Sequence, residues 1–106
     1  MADTAKRLSG PTALTTSAVT QYTVPASTTT ILRSVHASNE SAATSWFTVS
    51  IGTDAAGKRL WFQQDVAPKS SFDWSGFIVL ATAEIVQALT QTGTSITLTI
   101  SGVEVA

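Results

Sequence analysis

The stretch Ser95-Ile-Thr-Leu-Thr-Ile-Ser-Gly-Val-Glu-Val105 decides the fold class of this chain. Within it, the apolar Ile96, Leu98 and Ile100 alternate with the polar Thr97, Thr99 and Ser101. Side chains two residues apart share one face of a strand, so this pattern predicts a β-strand with one buried face, broken at Gly102.

The same period of two recurs along the chain. In Trp46 to Ile51, the residues predicted to face inward are Phe47, Val49 and Ile51; in Arg59 to Gln64, they are Leu60 and Phe62. The other predicted strands cover residues 19–24, 29–39, 70–74, 77–80 and 84–90. Strands at intervals of about 8 to 12 residues with turn residues between them predict a single all-β domain, an antiparallel β-sandwich or jelly roll of about eight short strands. The best helical candidate, Ala81 to Leu89, is short and has no capping residue.

Arg33 interrupts the alternation of the third segment. Ile31, Val35 and Ala37 share one predicted face, and Arg33 falls among them. Either a bulge shifts the register there, or the aliphatic stem is buried and the guanidinium reaches the rim of the sheet.

The first residues differ in composition from the rest. Residues 1–10 combine charged and small side chains and precede Pro11, so we predict an extended N-terminal arm over residues 1–10 and the β-sandwich domain over residues 11–106. A total of 106 residues fits one domain. We expect neither a signal peptide nor a membrane span, since no apolar stretch is long enough.

The composition argues against several functions. Only 12% of the residues are charged, the formal net charge is −1, and the six cationic residues are scattered, so nucleic acid is not expected as a partner. One histidine and no cysteine leave little material for an active site. We therefore predict no catalytic, cofactor-binding or metal-binding residues, no small-molecule substrate, and a protein that is not an enzyme.

Three motifs resemble functional sites. Gly52 to Arg59 matches the start of a phosphate-binding loop, but Arg59 replaces the magnesium-binding Ser or Thr and a strand follows, so we predict a hairpin loop. The sequon Asn39-Glu-Ser41 is predicted to be a polar turn. His36, the only imidazole, has no nucleophile, carboxylate or second ligand that spacing would place beside it.

The tryptophans are the most suggestive side chains. By alternation, Trp46 and Trp61 face away from the predicted core on consecutive strands and would form an apolar outer patch. Such a patch is typical of a subunit interface or a ligand platform, unless another part of the chain covers it. Trp74 fits either the core or the rim.

Several segments carry a resemblance to a known group. They are Tyr22 to Ala26, Thr28 to Asn39, Phe47 to Gly52, Asp73-Trp-Ser-Gly-Phe77 and Leu98 to Val105. Together they resemble small β-proteins encoded among the virion genes of tailed bacteriophages. The resemblance covers most of the chain, is a pattern of strands and turns, and carries over no catalytic residue. It implies a β-sandwich virion component that oligomerises and docks onto a head, neck or tail surface.

From the residues and the resemblance together, we expect a capsid decoration (cement) protein on the outer head of the virion. Its predicted partners are the major capsid protein and copies of itself, in a homotrimer that bridges capsid subunits. The expected interface residues are Lys6, Arg7, Trp46, Trp61 and Trp74. The alternatives are a tail or neck component, and a carbohydrate- or receptor-binding module that uses Trp46 and Trp61 as its platform.

Overall fold

A computed structural model describes residues 3–106 and contains eight β-strands. They are β1 (Asp3–Ala13), β2 (Val19–Thr23), β3 (Thr29–Asn39), β4 (Ser45–Ile51), β5 (Arg59–Val66), β6 (Ser70–Leu80), β7 (Ile85–Thr90) and β8 (Ile96–Val105). No helix is assigned among the described residues. The predicted all-β sandwich of about eight strands is confirmed.

Two four-stranded antiparallel sheets form the sandwich. Sheet A has the order β1-β8-β3-β6, and sheet B has the order β2-β7-β4-β5. Every connection except the β4–β5 hairpin carries the chain from one sheet to the other. This is the jelly-roll arrangement, in which the two sheets bury their facing sides against each other.

Strand β8 lies in the middle of sheet A, between β1 and β3. Its residues Ile96, Leu98 and Ile100 are at most 1% exposed, while the hydroxyl residues between them are half-buried on the outer face. The alternation in the sequence therefore gives the correct inner and outer faces of this strand.

The irregularity at Arg33 is a register shift. The pairings of β3 with β6 and with β8 both shift between Leu32 and Ser34. Leu32 and Val35 consequently both face the core, and the Arg33 side chain is exposed. Of the two possibilities for Arg33, the bulge is confirmed, because an extra residue lets the strand keep its apolar side chains inside.

The predicted arm lies mostly within a strand. Met1 and Ala2 are outside the described residues. From Asp3 onward the chain pairs with β8, first opposite Val105, and β1 continues past Pro11 to Ala13. The predicted boundary at residues 10 and 11 therefore falls inside β1, at a register shift between Ser9 and Thr12.

The two strands predicted over residues 70–80 are one strand. β6 runs without interruption from Ser70 to Leu80 and passes through Gly76. Glycine weakens a strand but does not end it when neighbouring strands supply the pairing. Phe72, Trp74, Ile78 and Leu80 lie on the side facing the core, whereas Ser71, Asp73, Ser75, Phe77 and Val79 face outward.

The edge strands β1 and β2 lie on the same side of the sandwich, and we call this side the closed edge. A polar cluster bridges the two sheets there. The Tyr22 hydroxyl, from sheet B, lies 2.7 Å from the Thr30 hydroxyl and donates to Glu104 at 2.5 Å. Lys6 donates to the other oxygen of Glu104 at 3.3 Å. Burial, reinforced by the bond to Glu104, raises the pKa of Tyr22 to about 12. The bond from Tyr22 and the ammonium of Lys6 lower the pKa of Glu104.

Candidate functional site

Trp61 does not lie on the outer face, so its predicted orientation was wrong. It pairs opposite Val49, which is fully buried, and packs against the core. Its ring centroid lies 6.4 Å from that of Phe47, 5.7 Å from that of Phe72 and 5.4 Å from that of Trp74. Trp61 is therefore part of an aromatic cluster between the sheets.

Register shifts in the β4–β5 pairing explain the difference. The pairing shifts on both sides of Val49, and Gln63 takes a positive φ of 51° while its N–H donates to the Thr48 hydroxyl. Each shift reverses which face the following residues occupy. Phe62, predicted to face inward, is consequently 58% exposed, with the Arg59 guanidinium 4.4 Å above its ring.

The three tryptophans thus lie in two places. Trp46 is half-buried on the outer face of sheet B, opposite Asp65. Trp61 and Trp74 are half-buried in the aromatic cluster between β5 and β6. We call the side of the sandwich formed by these two edge strands the open edge. The platform predicted from Trp46 and Trp61 is not formed, because the two rings lie on opposite faces of sheet B. An interface role for each tryptophan stays a prediction.

Lys6 and Arg7 lie side by side on β1, and both are exposed. Lys6 forms an ion pair with Glu104, so the carboxylate that it contacts in this structure belongs to the same chain. Arg7 lies opposite Ser101. Their predicted contact with a neighbouring subunit stays a prediction.

The outer face of sheet A carries an apolar band that the sequence analysis did not predict. Val79 pairs with Ile31, which pairs with Val103, which pairs with Ala5, so these four residues cross all four strands at one level. Val79 is 54% exposed, and Phe77, next to it on the same face, is 64% exposed. Alternation along the whole of β6 would have placed both side chains outside, but residues 77–80 were interpreted as a separate, continuously apolar strand.

The rest of this outer face carries Arg7, His36 and Asp73 and, for the most part, small hydroxyl side chains. The hydroxyl residues are Ser34, Ser38, Ser71, Ser75, Thr97, Thr99 and Ser101. Because Ser and Thr side chains are short, another protein can approach the backbone of the sheet closely. Burying their hydroxyl groups in such a contact avoids the desolvation cost of burying charges. Together with the apolar band, this face is the candidate interaction surface of the molecule.

His36 has a carboxylate beside it that spacing did not reveal. It lies opposite Asp73 across the β3–β6 pair, and its Nδ1 contacts the Asp73 carboxylate. The pair is solvent-exposed, and His36 lines an open depression together with Ser38, Lys69 and Ser71. Within residues 3–106, no group of three or more His, Cys, Asp or Glu side chains is arranged to hold a metal ion. Since the depression does not exclude water, the pair lacks the desolvated surroundings that strengthen electrostatic catalysis.

The loop from Gly52 to Gly57 connects β4 and β5, so the predicted hairpin loop is confirmed. Asp54 at its centre accepts hydrogen bonds from Arg59 Nε at 3.0 Å and from the Ser50 hydroxyl at 2.6 Å. These bonds, led by the one from Arg59, lower the pKa of Asp54. Its own N–H donates to the side chain of Gln87 at 3.0 Å.

The sequon asparagine also has a structural role. Asn39 is 1% exposed and ends β3. Its side-chain N–H groups donate to the carbonyls of Ala43 and Val66, each at 2.9 Å, and its oxygen accepts from Ser41. The predicted polar turn is confirmed, with Asn39 as the residue that fixes it.

None of the described residues forms a helix with the length and apolar character needed to cross a membrane. No protein-family model matches the chain, and neither the curated proteins nor the solved structures contain a match.

Proposed function

We propose that this chain is a structural protein of a bacteriophage virion, and specifically a capsid decoration protein that binds the outer surface of the head. The observation that carries the proposal is the outer face of sheet A, where exposed Phe77 and Val79 continue into an apolar band flanked by small hydroxyl residues. A contiguous apolar area rimmed by polar residues is typical of a protein–protein contact.

The sequence resemblance and the fold support the same class. The jelly roll is a common fold of viral capsid proteins, although it also occurs in lectins and enzymes. The low charge of the chain reduces repulsion between neighbouring copies on a crowded shell. In this proposal the protein forms a homotrimer, contacts the major capsid protein, and gains affinity by repeating small contacts with the symmetry of the head.

The role is non-enzymatic in this proposal. The exposed His36–Asp73 pair then belongs to the polar part of the contact face, where it lies among small hydroxyl residues. The alternative position on a tail or neck would use the same apolar band against a different partner.

A binding experiment with phage heads that lack this chain tests the proposal. The purified protein should bind such heads, and Val79→Asp should weaken binding by about tenfold or more, because a carboxylate would be buried in the apolar contact. Phe62→Asp is the matched control, since Phe62 is equally exposed but lies on the other sheet. Equal losses for both variants would contradict the assignment of sheet A as the contact face.

Cryo-electron microscopy of virions that contain the chain tests its location. Density at threefold or quasi-threefold positions of the outer capsid would support the decoration role and the trimer. Density confined to the neck or tail would favour the alternative virion role. Absence of the chain from virions, together with glycan binding that Trp46→Ala abolishes, would favour a carbohydrate-binding module.

A further inference from the structure

The two sheets have four edge strands, and three of these are protected against pairing with another strand. β1 contains Lys6, Arg7 and Pro11, and its pairing with β8 shifts register twice. β5 also shifts register twice and contains Gln63 at positive φ, while β2 is only 5 residues long. Charges, proline, bulges and short length are common features that prevent edge-to-edge association of sheets.

β6 is the fourth edge strand and is much less protected. It is 11 residues long, contains no proline and has one charged residue, Asp73. Exposed and half-buried residues alternate without interruption from Phe72 to Val79, so its free side has the geometry of a regular strand. The register shift opposite Arg33 lies on the side that faces β3. The free side of β6 therefore offers backbone N–H and C=O groups to an added strand.

We propose that β6 pairs with β6 of a second copy of this chain, antiparallel about a twofold axis at Ser75. The pairing joins sheet A of both copies into one continuous sheet. It is distinct from the threefold contact proposed above and does not depend on the virion role.

The side chains of β6 are complementary to themselves in this register. Phe72 faces Ile78 of the other copy, and Trp74 faces Gly76, over which the ring of that copy's own Trp74 lies. Apolar side chains of both copies therefore meet on the two sides of the axis. Phe72, Trp74 and Ile78 are only half-buried within one copy. The second copy covers their exposed rims.

The charges also permit the pairing. Asp73 faces Phe77 of the other copy, and the two Asp73 residues lie four strand positions apart, or about 13 Å along the strand. This distance exceeds the screening length of about 8 Å at physiological ionic strength. Each Asp73 is, in addition, in contact with His36 of its own chain.

Cysteine cross-linking tests the pairing and its register, because the chain has no cysteine of its own. Residues directly opposite in an antiparallel pair have Cα atoms about 4.5 to 5.5 Å apart, within the range of a disulfide. Ser75→Cys should therefore form a covalent dimer under mild oxidation. Ser71→Cys is the matched control: it lies on the same strand and face, but the two copies of this residue would be about 27 Å apart.

A second variant tests the contact without oxidation. Ser75→Lys places like charges directly opposite each other and should weaken association by about fivefold in sedimentation equilibrium. Thr99→Lys, on the same face but on the central strand β8, should leave association unchanged. Cross-linking of Ser71→Cys as fast as Ser75→Cys would overturn the proposal. So would a wild-type mass of 11.1 kDa, that of one chain, at all concentrations.

Discussion

The two edges of the sandwich have the same topology but different chemistry. At the closed edge the chain passes from β1 to β2, and Tyr22, Glu104 and Lys6 form hydrogen bonds between the sheets. At the open edge the chain passes from β5 to β6, and the rings of Trp61 and Trp74 lie half-exposed between the sheets. Hydrogen bonds complete the first edge within one chain, whereas the second edge still has apolar surface to bury. We therefore expect stability to depend most on the closed edge and association on the open edge.

The largest expected effect is at the end of β1. Leu14 is 1% exposed in the core, and its backbone pairs with Ile96 and Thr94. Leu14→Ala should lower the free energy of unfolding by about 2 to 5 kcal/mol, because it removes buried methyl groups and leaves a cavity. Urea denaturation followed by tryptophan fluorescence measures this change.

Val79→Ala is the matched truncation on the outer face of β6, the strand of sheet A that borders the open edge. Val79 is largely exposed, so its replacement should change the free energy of unfolding by less than about 0.5 kcal/mol in the monomer. If Leu14→Ala and Val79→Ala lowered the free energy of unfolding by similar amounts, stability would not depend most on the closed edge, contrary to our expectation.

Two glycines give a second, smaller contrast. A Cβ added at Gly102 in β8 would lie 2.2 Å from the carbonyl oxygen of Ile31, which is backbone. A Cβ at Gly76 in β6 would lie 2.6 Å from the ring of Trp74, which is half-exposed and can rotate outward. We expect Gly102→Ala to lower the free energy of unfolding by about 1 to 3 kcal/mol through overpacking. Gly76→Ala should lower it clearly less.

Chemical denaturation of both glycine variants measures these values, and tryptophan emission reports whether the Trp74 ring has moved. A shift of emission with little loss of stability is expected for Gly76→Ala. A greater loss for Gly76→Ala than for Gly102→Ala would mean that the aromatic cluster is as rigid as the backbone of sheet A.

The sequence could predict those parts of the fold that depend on local alternation. β8 shows its two faces directly, and the position of Arg33 among apolar residues indicates the bulge in β3. Simple alternation failed in β5, because two register shifts reverse the direction of Trp61 and Phe62. Neither shift has a glycine or proline in the strand to reveal it.

The features that distinguish the two edges depend on contacts between distant segments. Tyr22 and Glu104 are 82 residues apart and meet only because the jelly roll brings β2 against β8. His36 and Asp73 are 37 residues apart and meet through the register of β3 and β6. Such pairs follow from the strand order, and a single sequence with no repeat or motif does not determine that order. The candidate interaction surface was missed for a similar reason, since it requires knowing that residues 70–80 form one strand.

The last contrast concerns the hydroxyl of Tyr22 at the closed edge, the only tyrosine of the chain. Tyr22→Phe removes its bonds to Glu104 and Thr30, and near neutral pH it should lower the free energy of unfolding by about 1 to 2 kcal/mol. The pKa of Tyr22 is about 12 in the folded protein, against about 10 for an unfolded tyrosine.

The raised pKa fixes the pH dependence of this contribution. Above about pH 10 the unfolded chain releases a proton that the folded protein retains, so stability falls with a slope of up to about 1.4 kcal/mol per pH unit until the folded pKa is reached. The advantage of the wild type over Tyr22→Phe should therefore be constant below about pH 9.5 and should shrink above it. Both proteins carry the same other ionisable groups, so the contributions of those groups largely cancel in the difference. Urea denaturation of both proteins between about pH 8 and 11 measures this advantage, and a difference that stays constant over this range would show that burial does not hold the proton on Tyr22.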